Sequence, residues 1–154
     1  MKPQPGSHRL VEAAHRWLRP VLSPGALAVD LTAGNGHDTL FLARQVDSGG
    51  TVIAFDIQKQ ALDNSAERLS QAGFPVQRDH AGRCPVTRPG IHLVHDGHQF
   101  LPEYLNAPSD AVIANLGYLP GGDKQITTRA ETTRRALDSA LNALWPQGRL
   151  AVVV

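Results

Sequence analysis

The run Ala28-Val29-Asp30-Leu31-Thr32-Ala33-Gly34-Asn35-Gly36-His37-Asp38-Thr39 constrains this chain more than any other stretch. A short apolar segment ends on a carboxylate and breaks into two glycines one residue apart. It then returns at once to the helix-forming Leu40, Phe41, Leu42 and Ala43. That order spells strand, tight turn and helix. Gly34 and Gly36 let the backbone turn sharply and approach a ligand where a Cβ would collide, and the first N–H groups of the following helix have no intrahelical acceptor. A ligand is expected across that mouth.

The third glycine position separates two cofactor classes. A dinucleotide fingerprint, Gly-x-Gly-x-x-Gly, uses its last glycine for close helix packing and sets the pyrophosphate on the helix N-terminus. Here that position is Thr39, and Asp38 stands where a pyrophosphate would lie; Asp30 adds a second carboxylate. A mouth of this kind suits a cation. S-adenosylmethionine (SAM) carries a sulfonium and an ammonium and no phosphate, and a charge pair at 4 Å in a semi-polar site is worth roughly 4 kcal/mol before desolvation. The bland alternative is that Asp38 only complements the helix dipole, at about 0.3–1 kcal/mol.

Further along, Thr51-Val52-Ile53-Ala54-Phe55 reads as a second strand ending on Asp56. Asp56 lies 20 residues beyond Gly36, the spacing at which a carboxylate reaches both hydroxyls of an adenosine ribose, in NAD and SAM sites alike. Ile57 and Gln58 come next at the same edge. Ile91–His95 is a third strand, and Asp96-Gly97-His98 at its end is expected to line the cofactor. A metal reading of His92, His95, Asp96 and His98 is disfavoured because neighbouring strand residues face opposite sides and no second ligand cluster exists, so no metal is expected. Asp110–Ala114 is a fourth strand, followed by Asn115-Leu116-Gly117-Tyr118-Leu119-Pro120-Gly121-Gly122-Asp123-Lys124. In a parallel sheet this loop faces the glycine turn. Leu150–Val154 is a fifth strand.

Helices fill the intervals. Ser7 is expected to cap the first, with Leu10, Val11, Ala14, Trp17 and Leu18 on one apolar face and His8 and His15 as surface or packing residues. Gln60–Ala72 carries Ala61, Leu62, Ala66 and Leu69 inward. The stretch from Val76 to Gly90, punctuated by Gly82, Pro85 and Pro89, reads as a long loop. A last helix, capped by Thr127 or Thr128, turns Ala130, Thr133, Leu137, Ala140, Leu141 and Leu144 inward.

Composition narrows the class. A chain of 154 residues with 42% hydrophobic residues makes one domain with a real core, residues 1–6 being a disordered-looking tail. With 15 Lys+Arg against 14 Asp+Glu, bulk charge does not announce nucleic acid, so an RNA contact must come from a local patch. Cys84 alone excludes an internal disulfide, and no stretch approaches a membrane span or a signal-peptide core, which points to the cytoplasm.

Asp30-Leu-Thr-Ala-Gly-Asn-Gly-His-Asp-Thr-Leu-Phe-Leu, Ala54-Phe-Asp-Ile-Gln, Asp96-Gly-His and Asn115-Leu-Gly-Tyr-Leu-Pro-Gly-Gly-Asp-Lys together resemble a family of small class I methyltransferases. It comprises rRNA methylases and the enzyme that methylates the aminomethyl group of the wobble (aminomethyl)thiouridine of tRNA. The resemblance implies a Rossmann-like α/β fold with a doubly wound, mostly parallel sheet. It also implies SAM as cofactor and RNA, tRNA above all, as substrate. Asp30, Thr32, Ala33, Gly34, Asn35, Gly36, Asp38, Thr39, Asp56, Ile57, Gln58, Asp96, Gly97, His98 and Asn115 are expected around SAM. Leu116, Gly117, Tyr118, Gly121, Gly122, Lys124 and Arg129 are expected to face the substrate, with Asn115, Tyr118 and Asp123 nearest the chemistry. Asp123 and His98 are the candidate bases; Lys124, Arg129, Arg134 and Arg135 are either phosphate ligands or a solvated helix face. Gly97 replaces the family's usual Ser. The family continues past this point with two further strands that the chain lacks, which would leave Ala151–Val154 as an apolar edge for a homodimer or a partner to cover. The alternatives are an rRNA or small-molecule amine methyltransferase on the same site, or a SAM-binding module without activity.

Overall fold

The burial of the strands explains the layering of the fold. Thr51–Asp56 (β2) has four consecutive buried residues, and Gly90–His95 (β4) likewise, so both sheet faces are covered. Continuous burial of that kind belongs to parallel strands sandwiched between helices. The computed structural model describes residues 5–78, 82–116 and 130–154 and shows this arrangement. In chain order the elements are α1 (Pro5–Leu18), β1 (Leu27–Asp30), α2 (His37–Val46), β2, α3 (Lys59–Gln71), β3 (Val76–Gln77), β4, α4 (Leu101–Tyr104), β5 (Ser109–Asn115), α5 (Ala130–Asn142) and β6 (Leu144–Val153). The sheet runs β3-β4-β2-β1-β5-β6, and these strands pair in parallel.

One face of the sheet packs Leu18, Leu42, Val46, Leu62 and Leu69 from α1, α2 and α3 on Val52, Ala54, Leu93 and Ile113. The other packs Leu101, Tyr104, Ala136 and Ala140 from α4 and α5 on Val29, Ile53, Phe55, Val94 and Val112. Because β1 neighbours β2 on one side and β5 on the other, the chain reverses direction across the sheet at β1. Crevices outside strand ends at such a reversal are where α/β proteins bind ligands. Asp30 pairs with Ala54 and Ile113, so the glycine turn, Asp56 and Asn115 emerge at one edge.

Several expectations need correcting. Val76–Gln77 is not loop but a sixth, outermost strand pairing with Ile91 and His92. The first helix includes Pro5–Leu18, so Ser7 lies within its first turn rather than at its cap. Leu10 and Trp17 are about half exposed, because the buried stripe of α1 is Ala14 and Leu18. In α5 the buried positions are Ala136 and Ala140; Leu141 points to solvent at 57% exposure, and Leu144 belongs to β6. Pro146-Gln147-Gly148 is a bulge within β6, since Ser109 pairs with Leu144 but Ala111 with Arg149. At the sheet edge Val152 and Val154 are exposed, whereas Ala151 and Val153 are buried, and α1 packs on β6.

Candidate active site

The glycine turn is held from below, from behind and from the side. From below, Asp30 accepts the Thr32 N–H at 2.9 Å and the Thr39 hydroxyl at 2.7 Å. Asp30 and Thr39 are fully buried, which corrects the expectation that they line the mouth: they form its floor. Burial, reinforced by the nearby charge of Asp38, pushes the Asp30 pKa up to about 7 against the hydrogen bonds from Thr39 and Thr32. From behind, α3 supports the turn. The Ser65 hydroxyl donates to the Gly34 carbonyl at 2.9 Å, Arg68 Nε donates to the Asn35 carbonyl at 2.8 Å, and Asn64 donates to the Asn35 side-chain oxygen at 3.2 Å. Gly36, at φ +85°, must be glycine on two counts, because a Cβ there would also sit 2.9 Å from Ser65 Cα. Its absent side chain serves helix packing, the role a dinucleotide site gives its third glycine.

From the side, α1 contributes His15. Its Nε2–H donates to Asp38 Oδ1 at 2.7 Å, and its ring lies flat on Phe41 with centroids 3.9 Å apart. Asp38 is therefore paired and buried rather than an open anion facing a ligand, a second correction. A pyrophosphate on the α2 N-terminus would still meet Asp38 in the first turn of that helix. The sequence held a signal for His15, which falls with Val11 and Leu18 at i, i+4 and i+7 spacing on the inward side of α1. Ser65 likewise interrupts the Leu62–Leu69 stripe of α3.

Asp56 closes the mouth opposite α2. Its Oδ2 accepts the Gly34 N–H at 3.0 Å and its Oδ1 the Gln58 N–H at 2.9 Å. Both oxygens keep acceptor capacity, as a carboxylate has about four lone-pair sites. The Ala33 N–H donates to the Phe55 carbonyl, tying the turn to β2, and the exposed Ile57 gives its carbonyl to His95. Asn115 ends β5, its N–H donating to Thr32 Oγ1 at 2.8 Å, while the Leu116 N–H donates to the Val153 carbonyl. The glycine turn, Asp56 and Asn115 thus share one rigid rim.

At the end of β4, His98 is buried and its Nδ1–H donates to the Leu31 carbonyl at 2.9 Å, leaving Nε2 as the acceptor nitrogen. Burial lowers its pKa, so the ring is neutral at pH 7. Asp96 turns elsewhere: it takes a forked pair from Arg83 at 2.8 and 3.2 Å, the Tyr104 hydroxyl at 2.8 Å and the Gly97 N–H at 2.8 Å. Its carboxylate is thereby fully subscribed, a third correction to a direct cofactor contact. Burial raises its pKa, yet the Arg83, Tyr104 and Gly97 bonds outweigh that and the net shift is downward. The Gln99 side chain fills the space a Cβ at Gly97 would enter. Among the described residues no cluster of three or more His, Cys, Asp or Glu could hold a metal. Gly117, Tyr118, Gly121, Gly122, Asp123, Lys124 and Arg129 lie outside the described residues, as do the cap candidates Thr127 and Thr128.

A family model described as "Putative rRNA methylase" matches residues 52–154. A protein of the same description from Clostridium thermocellum is 36% identical, superposes at a TM-score of 0.79, and is matched over 92% of this chain and 69% of its own. The chain belongs to the rRNA methylase family. A Streptococcus mutans protein described as a methyltransferase and solved in complex with S-adenosylhomocysteine (SAH) is 35% identical, with a TM-score of 0.76 over 99% of this chain and 73% of that one. The chloroplastic tRNA (mnm(5)s(2)U34)-methyltransferase of Arabidopsis thaliana is 37% identical over 97% of this chain. The chain spans about half (53%) of that curated relative's length. Both the rRNA methylase fold expected from the sequence and the parallel sheet are therefore shown.

Proposed function

We propose that this chain is a SAM-dependent N-methyltransferase that acts on the aminomethyl group of the wobble uridine of a cytoplasmic tRNA. The observation that carries the reading is the shared rim: Asp56, held by Gly34 and Gln58 N–H groups, stands beside a glycine turn whose helix start already bears Asp38. That rim supports a nucleoside without phosphate over a dinucleotide, whose pyrophosphate would lie against Asp38 at the helix start. Gly34, Asn35, Asp56 and Gln58 would hold the adenosine half, with the Gly97–His98 turn at its outer side. SAM, when bound, would supply a methyl group on a sulfonium sulfur and leave as SAH once that group is transferred to the amine.

The residues present have two tasks. An alkylamine near pKa 10.4 is neutral in only about one molecule in 2,500 at pH 7, a cost of roughly 4.6 kcal/mol. A water-poor pocket beside a cation favours the neutral amine, since both penalise a second positive charge. Asn115, fixed through its backbone to Thr32, offers a side-chain oxygen to the amine hydrogens and aims the lone pair. Alignment of this sort can be worth effective molarities of roughly 10⁵ M. Neutral His98 is one acceptor for the released proton, and Asp123 is the second candidate base; Tyr118 is assigned to stacking on the nucleobase.

The test is transfer of radiolabelled methyl from SAM to tRNA taken from cells lacking the terminal methyl, run beside rRNA and free alkylamines. Label in that tRNA alone is the expected result. Label in rRNA alone would replace the acceptor, and SAH binding without label in any acceptor would reduce the chain to a binding module.

A further inference from the structure

The segment from Gly82 to Pro89 leads into β4 without regular structure; the His92 ring bonds its Arg88 carbonyl at 2.9 Å, and two further contacts fasten its other part. The first is Arg83. Its guanidinium forks onto Asp96 at 2.8 and 3.2 Å, lies 3.3 Å from the centroid of the Phe100 ring, and reaches Glu103 at 3.5 Å. The second is the Val86 N–H, which donates to the Tyr104 carbonyl at 2.8 Å. Tyr104 returns its hydroxyl to Asp96 at 2.8 Å and meets Phe55 edge-on at 5.3 Å, so the latch is anchored in the core. An open cleft of about 540 Å³ lies along it, walled by Arg83, His95, Asp96, Glu103 and Tyr104.

The fork matters because Asp96 leads directly into the cofactor rim. The Gly97 N–H donates to the same carboxylate at 2.8 Å, and His98 comes next, buried against Leu31. An arginine fork fixes the plane of a carboxylate as well as its place, and stacking on Phe100 leaves the guanidinium little freedom to turn. We infer that Arg83 is a positioning residue: through Asp96 it fixes the Gly97–His98 turn that forms the outer wall of the adenosine site, and so sets affinity for the adenosine half of the cofactor. The inference rests on the proposed SAM site, and it gives the Gly82–Pro89 segment a task in that site. Lysine cannot replace the fork, because a point charge does not fix the plane of its partner.

Calorimetry with two probes tests this: SAH, and 5′-methylthioadenosine, which keeps the adenosine but lacks the amino-acid end. Arg83→Ala is expected to weaken both by about the same factor, near tenfold, with Arg83→Lys recovering only part of the loss. Unfolding midpoints of both Arg83 variants are recorded alongside, and Arg83→Gln replaces Arg83→Ala if the latter does not fold. Unchanged affinity in the Arg83 variants, a loss for SAH alone, or full recovery by lysine would overturn the inference while the proposed site stands. Failure of the parent protein to bind SAH would overturn the proposed site and this inference with it.

Discussion

Among the described residues Asp30 is the one fully buried carboxylate, and its burial makes stability depend on pH in an unusual direction. In the unfolded chain it ionises at its ordinary value of 3.8; in the fold it keeps its proton to about 7. The proton's contribution to stability is therefore complete below pH 3.8 and is lost as pH rises through 7. The whole shift is worth about 4 kcal/mol at 1.36 kcal/mol per unit, and the part lost between pH 5 and pH 8 is about 2 to 3 kcal/mol. Asp30→Asn removes the titration. It keeps a carbonyl for the Thr32 N–H and turns an amide toward Thr39, at a cost of about 1 kcal/mol for the altered bond. Urea unfolding of parent and variant at both pH values is the assay. The difference in unfolding free energy is expected to move by about 2 to 3 kcal/mol in favour of asparagine between pH 5 and pH 8. A pH-independent difference would refute the claim that Asp30 is held protonated by burial.

Three further outcomes are expected. His15→Ala leaves Asp38 buried without its donor and should cost about 1–3 kcal/mol of stability, read as a lower urea midpoint. Gly36→Ala places a Cβ against Ser65 backbone at φ +85°, and should cost about 1–3 kcal/mol through overpacking; Gly34→Ala, whose Cβ would meet only Thr32 O at 3.8 Å, should cost less, and both are read by denaturation. Asn115→Ala is expected to lower turnover on the preferred RNA while leaving SAH affinity within about twofold, because it removes an interaction with the amine made in the transition state; equal losses would make Asn115 a cofactor ligand instead.

Much of the fold was legible because its signals are local. The apolar runs ending on Asp30, Asp56 and Asp96 mark three strand ends by themselves, and Gly34 and Gly36 mark the turn. What escaped depends on partners distant in sequence. Val76–Gln77 is too short to announce itself and becomes a strand only because Ile91 and His92 lie beside it. Ala136 and Ala140 are small enough that larger neighbours such as Leu141 set the apparent phase of α5, although Leu141 faces solvent. In the site, the residue types were foreseen but not their pairings. Asp38 and Asp96 both look like free anions in the sequence, and each is taken by a cation or donor from another element, His15 from 23 residues away and Arg83 from 13. Asp56, by contrast, stands half-buried beside Gly34, with acceptor capacity left on both oxygens.

The central claim is that a nucleoside lies across that rim, between the glycine turn and Asn115. A crystal structure of the protein grown with SAH tests it most directly. The ribose hydroxyls are expected on the Asp56 carboxylate, with the adenine at the Gly97–His98 turn and the sulfur toward Asn115. SAH bound away from Asp56, or Asp56 left facing only Gly34 and Gln58 with the ligand in place, would contradict it.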